Sequence, residues 1–443
     1  MSDTSQLPDL PLMLAGTPRA VADLLCEAGI PAAELPDVPL LAAGTGRFLL
    51  FDSRNTRSTA RARRAVAQGL TAIDVQALLP ETARPSILSL EHEPGQNLAT
   101  ESVTAGAFLA GLKAVVENLG GAWVRIADYP FPFQSAIAIG IQHVSEELTD
   151  FAGIAATLPH QATHFVSSRL RAERLAAIAQ SGVVDLGWQI DADERHDSAR
   201  RILSHWTTRQ QRFADLQLAP AGVALDGEWE DAPSSHKLVQ LGLRYSCHQS
   251  PGIACRAVSR HRGEVESTWI RFNTLALPPQ EWFLEWVGEH YQSGCPLFLM
   301  TTTERVHLAQ ELLRLSSDAR RCTLMWQTNF GMFARWWALR RQLKLSVWRT
   351  DEGYEVHASG DFGQFDWAIE IWRGQHRATL PLRTTEMTVS DHGLIFAQSP
   401  KRTPAGCTTP GENVRNLVAH PEQLRLQDPF LNKARFRRKG HPE

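Results

Sequence analysis

The sequence predicts an α/β protein: a distorted (β/α) barrel with a small N-terminal α/β domain before it and a C-terminal antiparallel β module after it. Three observations carry this. The apolar run Ser135-Ala136-Ile137-Ala138-Ile139-Gly140-Ile141 ends in polar Gln142 and His143, as a buried strand of an α/β sheet does at its carboxyl end. From 128 to about 345, short apolar runs alternate with amphipathic segments. Beyond Lys344 the apolar period changes to two.

At 443 residues the chain is too long for one ordinary core, so more than one domain is expected. Its 43% hydrophobic and 21% charged content is that of a globular protein, and a net charge of −3 supplies no basic field for nucleic acid. The six cysteines form no C-x-x-C pair, which argues for buried, reduced thiols over a zinc ribbon or a disulfide scaffold. The opening MSDTSQLPDLPLMLAG lacks a basic segment followed by an apolar core, and no apolar span reaches membrane length. A cytoplasmic protein without membrane insertion is the expectation. The thirteen tryptophans, most of them in the later half, suit sugar-binding grooves but individually fit cores better.

Taken in order, Thr17-Pro18 caps and opens a short helix over 17–28 that Gly29 stops. Arg47-Phe48-Leu49-Leu50-Phe51-Asp52 is a buried strand, followed by polar Ser53-Arg54-Asn55-Thr56 and an Arg-rich helix to Gly69. The polar turn lacks the glycines of a phosphate-binding fingerprint, so Arg57, Arg61, Arg63 and Arg64 are expected on a solvated face. Weaker strands at 70–75 and 87–90 complete a small parallel layer. Phe108, Leu109, Leu112, Val115, Val116 and Leu119 mark one face of a helix that Gly120-Gly121 ends. Trp123-Val124-Arg125-Ile126 leads into the barrel.

Barrel strands are expected at 163–166, 183–188, 221–225, 243–246 and 296–300. The matching helices lie at 171–180, 198–216, 234–241, 282–293 and 304–315. The β module follows from the alternation of Leu345 with Val347, Tyr354 with Val356, Trp367 with Ile369 and Ile371, Leu380 with Leu382, and Met387 with Val389. Trp367 and Trp372, five positions apart, are expected on opposite faces, one of them in the core. The segmentation is 1–125 small α/β (flavodoxin-like or Rossmann-like), 126–344 barrel, 345–425 β-sandwich-like module and 426–443 basic tail.

The order of elements from 128 to 315 resembles the polysaccharide deacetylase (NodB-homology) family. Ala138-Ile139-Gly140-Ile141-Gln142-His143 is similar to its first motif strand. Thr163-His164-Phe165-Val166 and Gly187-Trp188-Gln189-Ile190-Asp191-Ala192-Asp193 are similar to its second region. Pro220-Ala221-Gly222 with Leu241-Gly242-Leu243-Arg244-Tyr245-Ser246 is similar to the third, and 296–302 to the closing strand. The resemblance implies hydrolysis of N-acetyl groups on a sugar polymer by a divalent metal, an aspartate base and a late histidine acid. Position by position, the base falls on Gln142, the metal aspartate on His143, and the histidine pair on Asp193 and Asp197. The arginine falls on Leu218, and the late histidine on Thr301 or Thr302.

Since every catalytic position departs from that pattern, a catalytically degenerate protein is expected, one that binds a carbohydrate or a protein partner in a bacterial polysaccharide pathway, with no cofactor. The alternative is an active hydrolase whose acid/base or metal site, zinc for example, has been rebuilt. The candidate pocket is Gln142, His143, Gln189, Asp191, Asp193, Asp197, Asp226, Glu228, Trp229 and Thr302. Other constellations are weaker: Glu194-Arg195-His196-Asp197 is a charged helix start, no G-x-S-x-G elbow occurs, and Cys247 and His248, adjacent on a strand, face opposite ways.

Overall fold

The structure, a computed structural model, describes residues 7–35, 46–78, 98–143, 153, 162–167, 170–190, 210–211, 213–216, 218–225, 242–249, 255–260, 267–318 and 324–398. The strand expected at 87–90, the helix at 234–241 and the basic tail lie outside these residues, as does most of the helix at 198–216.

The chain begins with β1 (Leu12–Leu14), α1 (Arg19–Glu27), β2 (Ala32–Glu34), β3 (Phe48–Phe51), α2 (Thr56–Val66) and β4 (Thr71–Asp74). The four strands form a parallel sheet in the order β2-β1-β3-β4. Pro18 occupies the cap of α1, one residue after the expected Thr17, and Asn55 caps α2 by accepting from the Arg57 and Ser58 N–H groups. Arg57, Arg63 and Arg64 are exposed, as a solvated face requires. A short α3 (Val75–Leu78) precedes α4 (Leu98–Asn118), and then β5 (Trp123–Ile126) departs from the expectation that it leads straight into the barrel. It pairs instead with a strand of the C-terminal module.

The barrel strands are β6 (Ser135–His143), β7 (Ala162–Ser167), β8 (Leu186–Gln189), β9 (Gly222–Leu225), β10 (Tyr245–Gln249), β12 (Ser267–Ala276) and β13 (Leu297–Thr302), with α5 (Ala172–Gln180) after β7. Each is parallel to the next, and β13 returns to β6, so these seven described strands close a (β/α) barrel, as the sequence predicts. Outside this ring, β11 (Cys255–Arg260) runs antiparallel to β12, and β14 (Met325–Thr328) pairs with the amino half of β6. Ile137, Ile139 and Ile141 face outward, packing with Phe283 of α6 (Gln280–Ser293) and Leu312 of α7 (Val306–Asp318). Ala136, Ala138, Phe165, Tyr245, Phe272, Phe298 and Met300 fill the interior.

The amino end of the barrel is plugged by α8 (Phe330–Gln342), whose Phe330 and Phe333 join that interior cluster. Sequence patterning missed this helix. It is apolar on two sides, because Trp336 packs with a second cluster formed with the flanking segments.

The C-terminal module is antiparallel, as expected: β15 (Lys344–Thr350), β16 (Gly353–Ser359) and β19 (Glu386–Ser390) form one sheet, and β17 (Ala368–Arg373) and β18 (His376–Pro381) join β5 in another. One hydrophobic cluster runs through Leu12, Leu25, Val116, Trp123, Trp336, Val356 and Ile369, uniting the first and last segments. The fully buried Arg340 of α8 stitches the joint, donating to the carbonyls of Glu27, Ile126 and Ala127 and pairing with Asp128 at 2.8 Å. No helix among the described residues is long and apolar enough to cross a membrane.

Candidate functional site

Strand alternation decides which side chains reach the carboxyl mouth of the barrel. With Ala136 and Ala138 facing in, the same face of β6 ends at Gln142. On β8, Leu186 and Trp188 pack outward with Val166 and Val223, which leaves Gln189 on the inner face. The two amides meet: Gln142 Nε2 donates to Gln189 Oε1 at 3.0 Å, and Gln189 Nε2 donates to the Ile190 carbonyl at 3.1 Å. Thr302 stands in register with Gln142 on β13, and buried Ser167 stands in register with Gln189 on β7. This part of the mouth is therefore lined by neutral carboxamides and hydroxyls.

His143 continues the outward set of Ile139 and Ile141. Its Nε2 lies 2.8 Å from Nδ1 of His164, and both rings are fully buried. Burial, reinforced by the neighbouring His164, holds its pKa well below the ordinary histidine value, so the ring is neutral at pH 7. Of the predicted pocket, then, Gln142, Gln189 and Thr302 come together at the mouth, whereas His143 lies in the layer outside the barrel. Asp191, Asp193, Asp197, Asp226, Glu228 and Trp229 lie outside the described residues. Cys247 and His248 do face opposite ways: Cys247 joins the interior cluster, and His248 Nε2 sits 2.9 Å from Ser246 Oγ.

The metal that the family resemblance implies finds no fitting donors among the described residues at the mouth. Zinc takes thiolate, imidazole or carboxylate ligands, and amides and hydroxyls are poor substitutes. Among the described residues no three His, Cys, Asp or Glu side chains gather as a ligand set.

At the opposite, amino end lies a buried carboxylate that sequence reasoning passed over. Asp185, just before β8, accepts from Thr163 Oγ1, from Tyr245 Oη at 3.1 Å and from the Gly331 N–H of α8 at 2.7 Å. Thr163 Oγ1 in turn accepts from the Phe330 N–H at 2.9 Å, so the first turn of α8 is capped by two barrel strands. Burial pushes the Asp185 carboxyl up to about 6, against the pull of its three donors. Its partners are drawn from residues 163 to 331, and no local pattern joins them. The place is one of support, because it fixes a helix plug at the amino end of the barrel, away from the carboxyl mouth.

The two tryptophans of the C-terminal module divide as expected. Trp367 is 2% exposed and packs on Trp336 with ring centroids 4.4 Å apart. Trp372 is half-buried on the other face, with Lys113 and Arg125 over its ring at 5.0 and 5.2 Å and its Nε1 donating to Glu370. Both indoles thus serve contacts within the chain.

No protein-family model and no curated protein matches the sequence. Among solved structures, the chain is similar to a protein from Mycobacterium smegmatis assigned as a polysaccharide deacetylase, at 12% identity and a TM-score of 0.38, over 47% of this chain and 93% of that one. It is likewise similar to Puue allantoinase, at 11% identity and a TM-score of 0.36, over 48% and 93%. A third is a probable polysaccharide deacetylase from Pseudomonas aeruginosa PAO1, at 10% identity and a TM-score of 0.36, over 46% and 91%.

Proposed function

We propose that the barrel mouth is a carbohydrate-binding site of a catalytically degenerate deacetylase-like protein acting in a polysaccharide pathway, and that it does not hydrolyse acetamides through a metal. The observation that carries this is the Gln142–Gln189 amide pair at the mouth. A carboxamide has no proton-accepting charge with which to activate water, so Gln142 cannot serve as the general base. Each amide does offer donors and an acceptor in one plane, and with Thr302 and Ser167 beside them they suit the paired hydroxyls of a sugar. The burial of His143 against His164, away from this pair, weighs against a rebuilt metal site that uses its imidazole.

The test is calorimetric titration of the full chain with N-acetylglucosamine oligomers, alongside metal analysis and an assay for released acetate. Saturable binding without acetate release is expected, and Gln142→Leu should weaken it by about tenfold, the worth of one well-placed hydrogen bond. Turnover that requires stoichiometric zinc and is abolished by Asp193→Ala would overturn the proposal. Binding unchanged in Gln142→Leu would remove the mouth as its site.

A further inference from the structure

A second constellation, separate from the barrel, lies at the carboxyl edge of the N-terminal sheet. Asp74 ends β4 in register with Phe51, and Asp52 is the next residue beyond that partner on β3, so two carboxylates sit at neighbouring strand ends. One oxygen of each is engaged. Asp52 Oδ1 accepts from the Arg54 N–H and from Gln76 Nε2, both at 3.0 Å. Asp74 Oδ1 accepts from the Ser53 N–H at 3.2 Å and the Gln76 N–H at 3.1 Å. Among the described residues no cation pairs with either carboxylate, although Asp52 is only 9% exposed.

Gln76 supplies an independent sign. It is 6% exposed, and its backbone is tied to Asp74 while its side chain is tied to Asp52, yet its Oε1 is buried without any hydrogen-bond partner. That oxygen shares a carbon with the nitrogen bonded to Asp52, so it is held beside the carboxylate. Thr17 Oγ1, which follows β1 at the same edge, is also buried and unpartnered. An unmet carbonyl costs about 1–3 kcal/mol, and the second oxygen of Asp52 beside it has no cation among the described residues. A proton donor would answer the carbonyl alone. A positive ion answers both, and an all-oxygen donor set selects the hard divalent class over zinc or copper.

We propose that Asp52, Asp74 and the amide oxygen of Gln76 form a binding site for a hard divalent cation of the magnesium or calcium type, with water completing its shell. The site belongs to the N-terminal sheet and does not depend on what the barrel binds. In chelator-treated full-length protein, calcium or magnesium chloride should give saturable heat in calorimetry and raise the melting temperature. Asp74→Asn keeps an oxygen for both backbone N–H groups while removing the charge, and it should weaken binding at least tenfold. Gln76→Glu should melt lower in chelator and show a larger rise on adding the cation. Absence of saturable heat in the wild type overturns the proposal. So does Asp74→Asn affinity equal to that of the wild type, or Gln76→Glu affinity that is unchanged or weaker.

Discussion

Replacing Asp185 with asparagine should abolish a specific segment of the protein's pH-dependent stability. Burial raises the carboxyl from the ordinary 3.8 to about 6 in the folded chain. Between these values the folded state holds a proton that the unfolded chain has released, so stability from this group is fully present below pH 4 and is lost as the pH rises through 6. At 1.36 kcal/mol per pKa unit the loss is roughly 3 kcal/mol. Asparagine keeps the size and one acceptor oxygen for the Gly331 N–H but does not titrate. Urea unfolding of both proteins at a series of pH values from 4 to 7 measures the effect, and subtracting one curve from the other cancels every other titrating group. The advantage of wild type over Asp185→Asn should shrink by about 3 kcal/mol across that range. A difference that stays flat would refute the claim that Asp185 is desolvated at the helix plug.

Three further outcomes follow from the same geometry. Gly331→Ala should lower stability by about 2 kcal/mol in a thermal melt, although alanine ordinarily improves a helix, because its Cβ would stand 2.2 Å from Asp185 Oδ1. Buried His290 bonds the Pro296 carbonyl through Nδ1, and burial lowers its pKa from 6.5 to about 4. Below pH 6.5 the unfolded chain takes up a proton that the folded chain refuses, so roughly 3 kcal/mol should be lost by pH 4, a loss that His290→Gln removes. Arg340→Met should cost about 3–5 kcal/mol in urea unfolding, since it leaves the Glu27, Ile126 and Ala127 carbonyls without their donor and deprives Asp128 of a partner.

Much of the framework was legible because local period and burial agree. The run at 135–141 is buried on both faces, and Gly120 and Gly294 stop their helices at positive φ. What escaped has physical causes. β1 is three residues between prolines and a glycine, too short for a period to show. β12 alternates Ile270 and Phe272 with Arg271 and Asn273, so it reads as a half-exposed strand although it closes the barrel. The positions of Gln142, Gln189 and Thr302 at the carboxyl ends of their strands could be read from the sequence, because each closes an apolar run. His143 was misjudged as their companion because adjacent residues on a strand point apart, which only the packing of Ile139 and Ile141 resolves. The Asp52–Gln76 contact crosses from one strand end to the next, and no motif spacing announces it.

The pairing of β5 with β17 bears on how the chain is made. Leu10 bridges Val347, Trp123 pairs with Trp372, and the cluster that holds α1 and α4 is completed by Trp336, Val356 and Ile369. A ribosome delivers the amino end first, at about 5–20 residues per second. More than two hundred residues, the whole barrel among them, must therefore emerge before Val124 and Val116 meet the side chains that cover them. During that interval the leading segment carries an uncovered apolar face and an unpaired strand edge, so truncation before residue 336 should leave both exposed and favour aggregation.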